Sequence, residues 1–165
     1  MAGGDSKRVA VRLAPWFRGQ GMFLPDPVPQ FSYIVEELRN LDIAYLHLIE
    51  PRVSGKSSQD AVYDDTYQAI RANDVFVSLC RKQILVILAG GFDDDKARRV
   101  VNEMYPDSDV FVAFGRLFLC TPDLPRRIRE GIPLNSYDRA TFYTPKTTKG
   151  YIDYPFYEGV RARGV

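Results

Sequence analysis

Four short apolar runs, rich in β-branched residues, recur along the chain. They are RVAVRL at 8–13, AYLHLIE at 44–50, ILVILA at 84–89 and VFVAF at 110–114. Between them lie stretches with helical period or loop composition, so the order reads β-loop-α, β-loop-α, β-α, β-α and then a tail. Alternating strands and helices with near-continuous apolar strands predict an α/β fold, a parallel sheet with helices packed outside it. Length then bounds the answer. A complete (β/α)8 barrel takes roughly 250 residues and seldom fewer than 200, and this chain has 165. The expectation is a single truncated barrel domain over 1–165. Four β/α units at 7–130 amount to about half of a TIM barrel, followed by an irregular tail at 131–165.

The elements between the strands are less sharply marked. Residues 16–30 are dense in glycine and proline and read as a long loop. Residues 31–40 place Phe31, Ile34, Val35 and Leu38 on one helical face. Residues 54–60 are polar and read as a loop, and 61–82 read as mostly helical with a break near Asn73–Asp74. Three aspartates, Asp93 to Asp95, open a helix, where they suit the free N–H groups and the positive dipole end. Residues 122–130 read as a short helix, with 131 onward irregular.

Composition removes several classes of function. Lys and Arg total 22 against 21 Asp and Glu, a net charge of +1, which argues against nucleic acid held by a general basic field. No apolar run approaches the ~18–20 residues of a membrane span, and the first residues carry no apolar signal-peptide core. Cys80 and Cys120 lie in no CxxC or CxxH pattern, so the expectation is a reduced, cytoplasmic protein with no membrane and no metal.

In parallel α/β folds, ligands bind at the carboxyl ends of strands. Those ends carry Arg12, then Glu50 and Arg52, then Gly90, Gly91 and Phe92, and then Gly115 and Arg116. Glycines at two successive ends admit a close anion, and Arg116 adds a fork of donors, so a phosphate is one reading. That the glycines simply turn the chain is the other. His47, the only histidine, sits inside an apolar strand and reads first as a hydrogen-bonded core residue. For Asp93 to Asp95, helix capping is a simpler reading than cation binding. The tail tyrosines, Tyr143, Tyr151, Tyr154 and Tyr157, read mainly as packing residues.

Several longer stretches are more specific: VRLAPW at 11–16, YLHLIEPR at 45–52, LAGGF at 88–92 and AFGR at 113–116. PDLPRR follows at 122–127, YDR at 137–139, TFY at 141–143 and GYIDYP at 150–155. In this order they resemble the Old Yellow Enzyme family of FMN-dependent ene-reductases, especially fungal members, over the C-terminal half. The resemblance implies that Arg12 contacts the flavin's pyrimidine side. It gives the FMN phosphate to Gly90, Gly91, Gly115 and Arg116, although many members carry Asn where Gly91 stands. Phe142 and Tyr143 match an aromatic pair bordering the flavin and the substrate mouth.

The family's strand-three glutamine, its strand-four His pair or His/Asn pair, and its proton-donating tyrosine have no counterpart here. His47 belongs to the strand-six motif. Without those groups an enone is not polarised and the flavin ring lies open to water. Three readings follow. The leading one is redox-neutral epimerisation or double-bond isomerisation of an enone- or polyketide-like metabolite. It would use Tyr143, Glu50 and Asp93 as acid and base, with Arg12 or Arg116 steadying an enolate. The second is an FMN-binding fragment of an NADPH-dependent ene-reductase, inactive alone. The third is a non-catalytic subunit that completes a partner barrel. A half barrel leaves open edges and an apolar face, so a homodimer or a complementary half-barrel chain is expected as partner.

Overall fold

All four strands form, and they run parallel in the order β1-β2-β3-β4. The computed structural model describes residues 4–17, 21–22, 24–51 and 71–159. The chain divides into two compact units, Met1–Ala113 and Phe114–Val165.

The first unit holds the sheet. Strand β1 is Ala10–Leu13, β2 Tyr45–Ile49, β3 Leu85–Ala89 and β4 Val110–Ala113. Each is one or two residues shorter than the apolar run that announces it, and a 3-10 turn, Ser6–Arg8, precedes β1. The register sets Arg12 beside His47, His47 beside Ile87, and Ile87 beside Phe111. Successive side chains in a strand point to opposite faces, so these four share one face. The other carries Leu46, Leu48, Val86, Leu88 and Val110, all buried. Burying each such side chain contributes about 1.5–3 kcal/mol.

Among the described residues, three helices lie between these strands: α1 (Val28–Asn40), α2 (Asp74–Cys80) and α3 (Asp94–Arg99). Helix α1 starts three residues before the periodic face suggests, because Pro29 sits in its first turn, where no N–H is needed. Phe76 of α2 meets Phe31 of α1 at 6.3 Å and Trp16 at 6.1 Å between ring centroids. Helix α2 starts at the expected break. It stops at Cys80, two residues short of the predicted end, where Arg81 and Lys82 turn left-handed. The predicted loop at 54–60, the helical stretch at 61–70 and Arg52 lie outside the described residues. Asp93 caps α3 as predicted, accepting a hydrogen bond from the Lys96 N–H at 2.9 Å. A π-helical turn, Val100–Met104, extends α3.

The opposite sheet face is not packed in the same way. The sequence suggests that β2 is buried on both sides. Instead Tyr45 is exposed, His47 half-buried, and Phe111 of β4 is 56% exposed. Among the described residues β1 pairs only with β2, and β4 only with β3. An apolar run thus reports one buried face here, and among the described residues the other face is only partly covered.

The second unit contains α4 (Arg116–Cys120), α5 (Leu124–Glu130) and the tail. Helix α4 is absent from the sequence-based reading because five residues, RLFLC, are too few to show a period. Apart from a 3-10 turn, Arg139–Thr141, the tail has no helix or strand among its described residues. One buried cation organises it. Arg127, 4% exposed, donates to Asp123 Oδ1 at 2.8 Å, to the Pro133 carbonyl and Asn135 Oδ1 at 2.9 Å, and to the Pro155 carbonyl at 3.1 Å. Asp123 Oδ2 in turn accepts the Tyr157 N–H at 3.0 Å. The Pro133 carbonyl is thereby satisfied, and the Pro155 carbonyl, which also accepts from Asn135 Nδ2 at 2.8 Å, gains a second donor.

Removing the Arg127 guanidinium leaves the Asp123 charge without its cation and the Pro133 carbonyl without its donor. Arg127→Met should destabilise the chain by about 3–5 kcal/mol, and Arg127→Lys should recover little, since one ammonium cannot span four acceptors. Denaturant unfolding checks this, and a loss below about 1 kcal/mol for Arg127→Met would contradict it.

Candidate functional site

The carboxyl end of β2 carries a buried acid. Glu50 follows the strand and is 3% exposed. Its N–H donates to the Ala89 carbonyl at 2.7 Å, which holds it against the end of β3. Gly90 is obligatory beside it. Its φ is +136°, and a Cβ there would stand 2.8 Å from the Glu50 Cβ. Gly91, with φ +79°, completes the turn. The glycine pair therefore does turn the chain, and Gly90 also makes room for Glu50.

Burial pushes the Glu50 carboxyl up to about 8. The Asn73 amide opposes that shift and the Asp74 charge adds to it. Even so, neither Glu50 oxygen and not the Asn73 Nδ2 reaches hydrogen-bonding geometry. Asn73 is held from its other side, where Oδ1 accepts from the Trp16 indole at 2.9 Å. Asp74 receives Arg71 Nε at 2.5 Å and the Tyr105 hydroxyl. Glu50 is thus a neutral acid at pH 7, walled in rather than facing a mouth.

The remaining predicted residues of the first unit lie apart from that acid in role. Arg12 is exposed on the open sheet face. His47 beside it is held below the usual imidazole range by burial and by the Arg12 charge, and its Nε2 has no partner. The hydrogen bond expected of a core histidine is therefore not made at that nitrogen. Asp93 is engaged at its helix cap, with Lys96 Nζ also at 3.5 Å.

In the second unit, Gly115 stands at the start of α4 with open space where a Cβ would be. Arg116 follows, half-buried, with its guanidinium carbon 5.4 Å from the centre of the Tyr137 ring. Its Nη1 is 3.4 Å from the Tyr137 hydroxyl. Phe142 stacks on the other partner of this layer, 5.6 Å from Tyr137 and 29° from coplanar. Arg116 and Phe142, predicted separately, are joined by Tyr137, to which the sequence assigned no role. The YDR stretch beside it was the available signal. Tyr143 is 75% exposed, at φ +59°, and its N–H donates to the Tyr151 hydroxyl at 2.9 Å. Tyr154 likewise accepts the Asp138 N–H at 2.9 Å. Of the three predicted acid/base groups, Glu50 and Asp93 belong to the first unit and Tyr143 to the second.

Among the described residues no three His, Cys, Asp or Glu converge as metal ligands, and no helix is long and apolar enough to cross a membrane. Both cysteines are buried and unbridged.

Four parallel strands, the last two followed by glycine turns, define part of a TIM-barrel protein. No family model matches the sequence. A chanoclavine-I aldehyde reductase of Penicillium roqueforti is 44% identical over 149 residues, which are 90% of this chain and 38% of that protein. A Claviceps purpurea protein named "probable inactive dehydrogenase" is 44% identical over 152 residues, 90% of this chain and 39% of its own length. The crystal structure of Old Yellow Enzyme from a Pichia species superposes with a TM-score of 0.70 at 27% identity, over 93% of this chain and 37% of that one. The chain is thus similar in sequence and fold to proteins of the Old Yellow Enzyme family. It spans about two-fifths of the length of the curated relatives it matches.

Glu50 makes a testable claim on stability. The folded carboxyl holds its proton up to about pH 8, while the unfolded one releases it near 4.5. The folded state binds more protons between these values, so stability should fall as pH rises from about 5 to 8, by about 2–4 kcal/mol. Glu50→Gln should flatten that slope and be the more stable protein at pH 8. Equal slopes for the two proteins in denaturant unfolding at pH 5 and pH 8 would contradict the assignment.

Proposed function

We propose that the chain supplies the flavin-phosphate half of an Old Yellow Enzyme-type reductase. Strands equivalent to the first half of the barrel would close over its open sheet face. The observation that carries this reading is the sheet itself, packed on one face, open on the other, and unpaired at both edges among the described residues. A face bearing Tyr45, Ile87 and Phe111 is stabilised by a cover. The relatives are more than twice as long as the stretch they share with this chain. A second copy around a twofold is the competing cover.

The cofactor of this reading is FMN, and the donors fit an anion. Gly115 leaves its backbone open, and among the described residues Arg116 makes no ion pair with a carboxylate. In the first unit Arg12 and the Gly90–Gly91 turn, and in the second Gly115, Arg116 and Phe142, are the residues that the resemblance gives to FMN. Bound FMN supplies hydride chemistry. The chain's own residues bind, orient and shield it, and Arg116 offers two parallel donors to a phosphate.

A redox-neutral reading has one observation in its favour, the relative named as an inactive dehydrogenase. It is isomerisation or epimerisation of an enone-like metabolite, with Tyr143, Glu50 and Asp93 as its acid and base candidates. It ranks second because Glu50 is sealed, Asp93 is occupied by its helix, and Tyr143 projects into solvent.

The two readings part in one experiment. The purified chain is incubated with FMN and desalted, alone and together with the first half of the Penicillium reductase. The chain alone should keep little flavin, and the pair should keep close to one per complex and oxidise NADPH. Arg116→Ala should weaken retention by about 10- to 100-fold, the worth of a charge-assisted pair of hydrogen bonds. A colourless pair would sink the flavin reading. Conversion of an enone by that pair without NADPH consumption would establish the redox-neutral one.

A further inference from the structure

We propose that Tyr137 is the positioning residue for Arg116, a stacked platform that fixes the guanidinium plane for a phosphate. The inference rests on the flavin reading above and deepens it. An arginine at a helix start is a long side chain with much rotamer freedom, and that freedom is lost when it grips an anion. Any contact that fixes it beforehand raises affinity without touching the ligand. The Arg116 guanidinium carbon lies 5.4 Å from the Tyr137 ring centre, within the range of a cation–π contact. Phe142 supports that ring from a stack at 5.6 Å.

The platform is itself anchored. Asn135, two residues earlier, donates from Nδ2 to the Cys120 carbonyl at 2.8 Å, and its N–H donates to Thr121 Oγ1 at 3.2 Å. Arg116 and Cys120 are the two ends of α4, so the 135–137 segment is tied to both. On the far side, the Asp138 N–H donates to the Tyr154 hydroxyl, and the Thr141 hydroxyl donates to the Asp138 carbonyl at 2.7 Å. Tyr137 is therefore held from before and after in sequence. The hydroxyl contributes less than the ring, because 3.4 Å to Nη1 is at the limit of a hydrogen bond. The contact with Tyr137 engages Nη1 alone, and among the described residues no other hydrogen bond of the guanidinium competes with a ligand.

The test is a double-mutant cycle read by FMN titration of the 165-residue chain, followed by flavin fluorescence. Tyr137→Phe should bind within about twofold of the parent, and Tyr137→Leu about 5- to 10-fold more weakly. With Arg116→Ala already present, Tyr137→Leu should cost nothing further, because the ring acts only through the arginine. Independent, additive losses would show a merely structural role and overturn the proposal. So would an unchanged affinity in Tyr137→Leu. Arg116→Lys leaves the tail untouched and keeps the charge without the planar stack. It should lose at least about fivefold, and parent-like binding would also overturn the proposal. If the parent alone binds too little FMN to titrate, the flavin reading is decided by the paired experiment above, and NMR of the Arg116 side chain decides the platform. An ordered, ring-shifted Nε–H signal that collapses in Tyr137→Leu supports the platform, and an Nε–H signal indifferent to the substitution refutes it.

Discussion

The one-sided packing of a parallel sheet is the constraint on which the rest depends. Leu46, Leu48, Val86 and Leu88 bury one face against helices. The same alternation necessarily turns Arg12, Tyr45, His47, Ile87 and Phe111 to the other. A parallel sheet is stable in water when both faces are covered. In the related barrel the second face is the interior, and the residues on it here are ones that an interior would enclose. His47 shows the consequence locally: an imidazole with an unpartnered Nε2 next to a cation.

The chemistry divides along the same line. What this chain offers the proposed flavin phosphate is a glycine with open space beside it, an arginine against a tyrosine ring, and a second aromatic stacked on that ring. What the described residues do not show is a matched acid and base. Glu50 is the one strongly shifted carboxyl, and a catalytic general acid would suit its value near 8. Its burial against Gly90 and Asn73 instead makes it a structural neutral acid. A perturbed pKa marks function only where a substrate can reach it.

The strands were legible because period-two and β-branched runs report burial directly, and Asp93 because capping chemistry is local. Helix starts were less so. Pro29 inside α1 looks like a loop residue unless its first-turn position is known. Helix α4 is too short to leave a period. The glycines proposed for the phosphate are legible as glycines, but the clash that makes Gly90 obligatory comes from Glu50, forty residues away. Tyr137 was invisible as a site residue for the same reason: a stacked platform is a tertiary contact, and nothing in YDR predicts which side chain it will underlie. Arg127 is similar, an ordinary basic residue in a helix, three of whose four acceptors lie in the irregular tail.

Backbone hydrogen exchange tests the central claim, that this sheet is open at both edges and on one face. In the chain alone, amides bonded between β2 and β3 should exchange slowly, and the outward-facing amides of β1 and β4 quickly. Adding the complementary half barrel should slow both edges together. Slow exchange of both edge strands in the isolated monomer would show that the chain closes its own sheet, and would contradict the account.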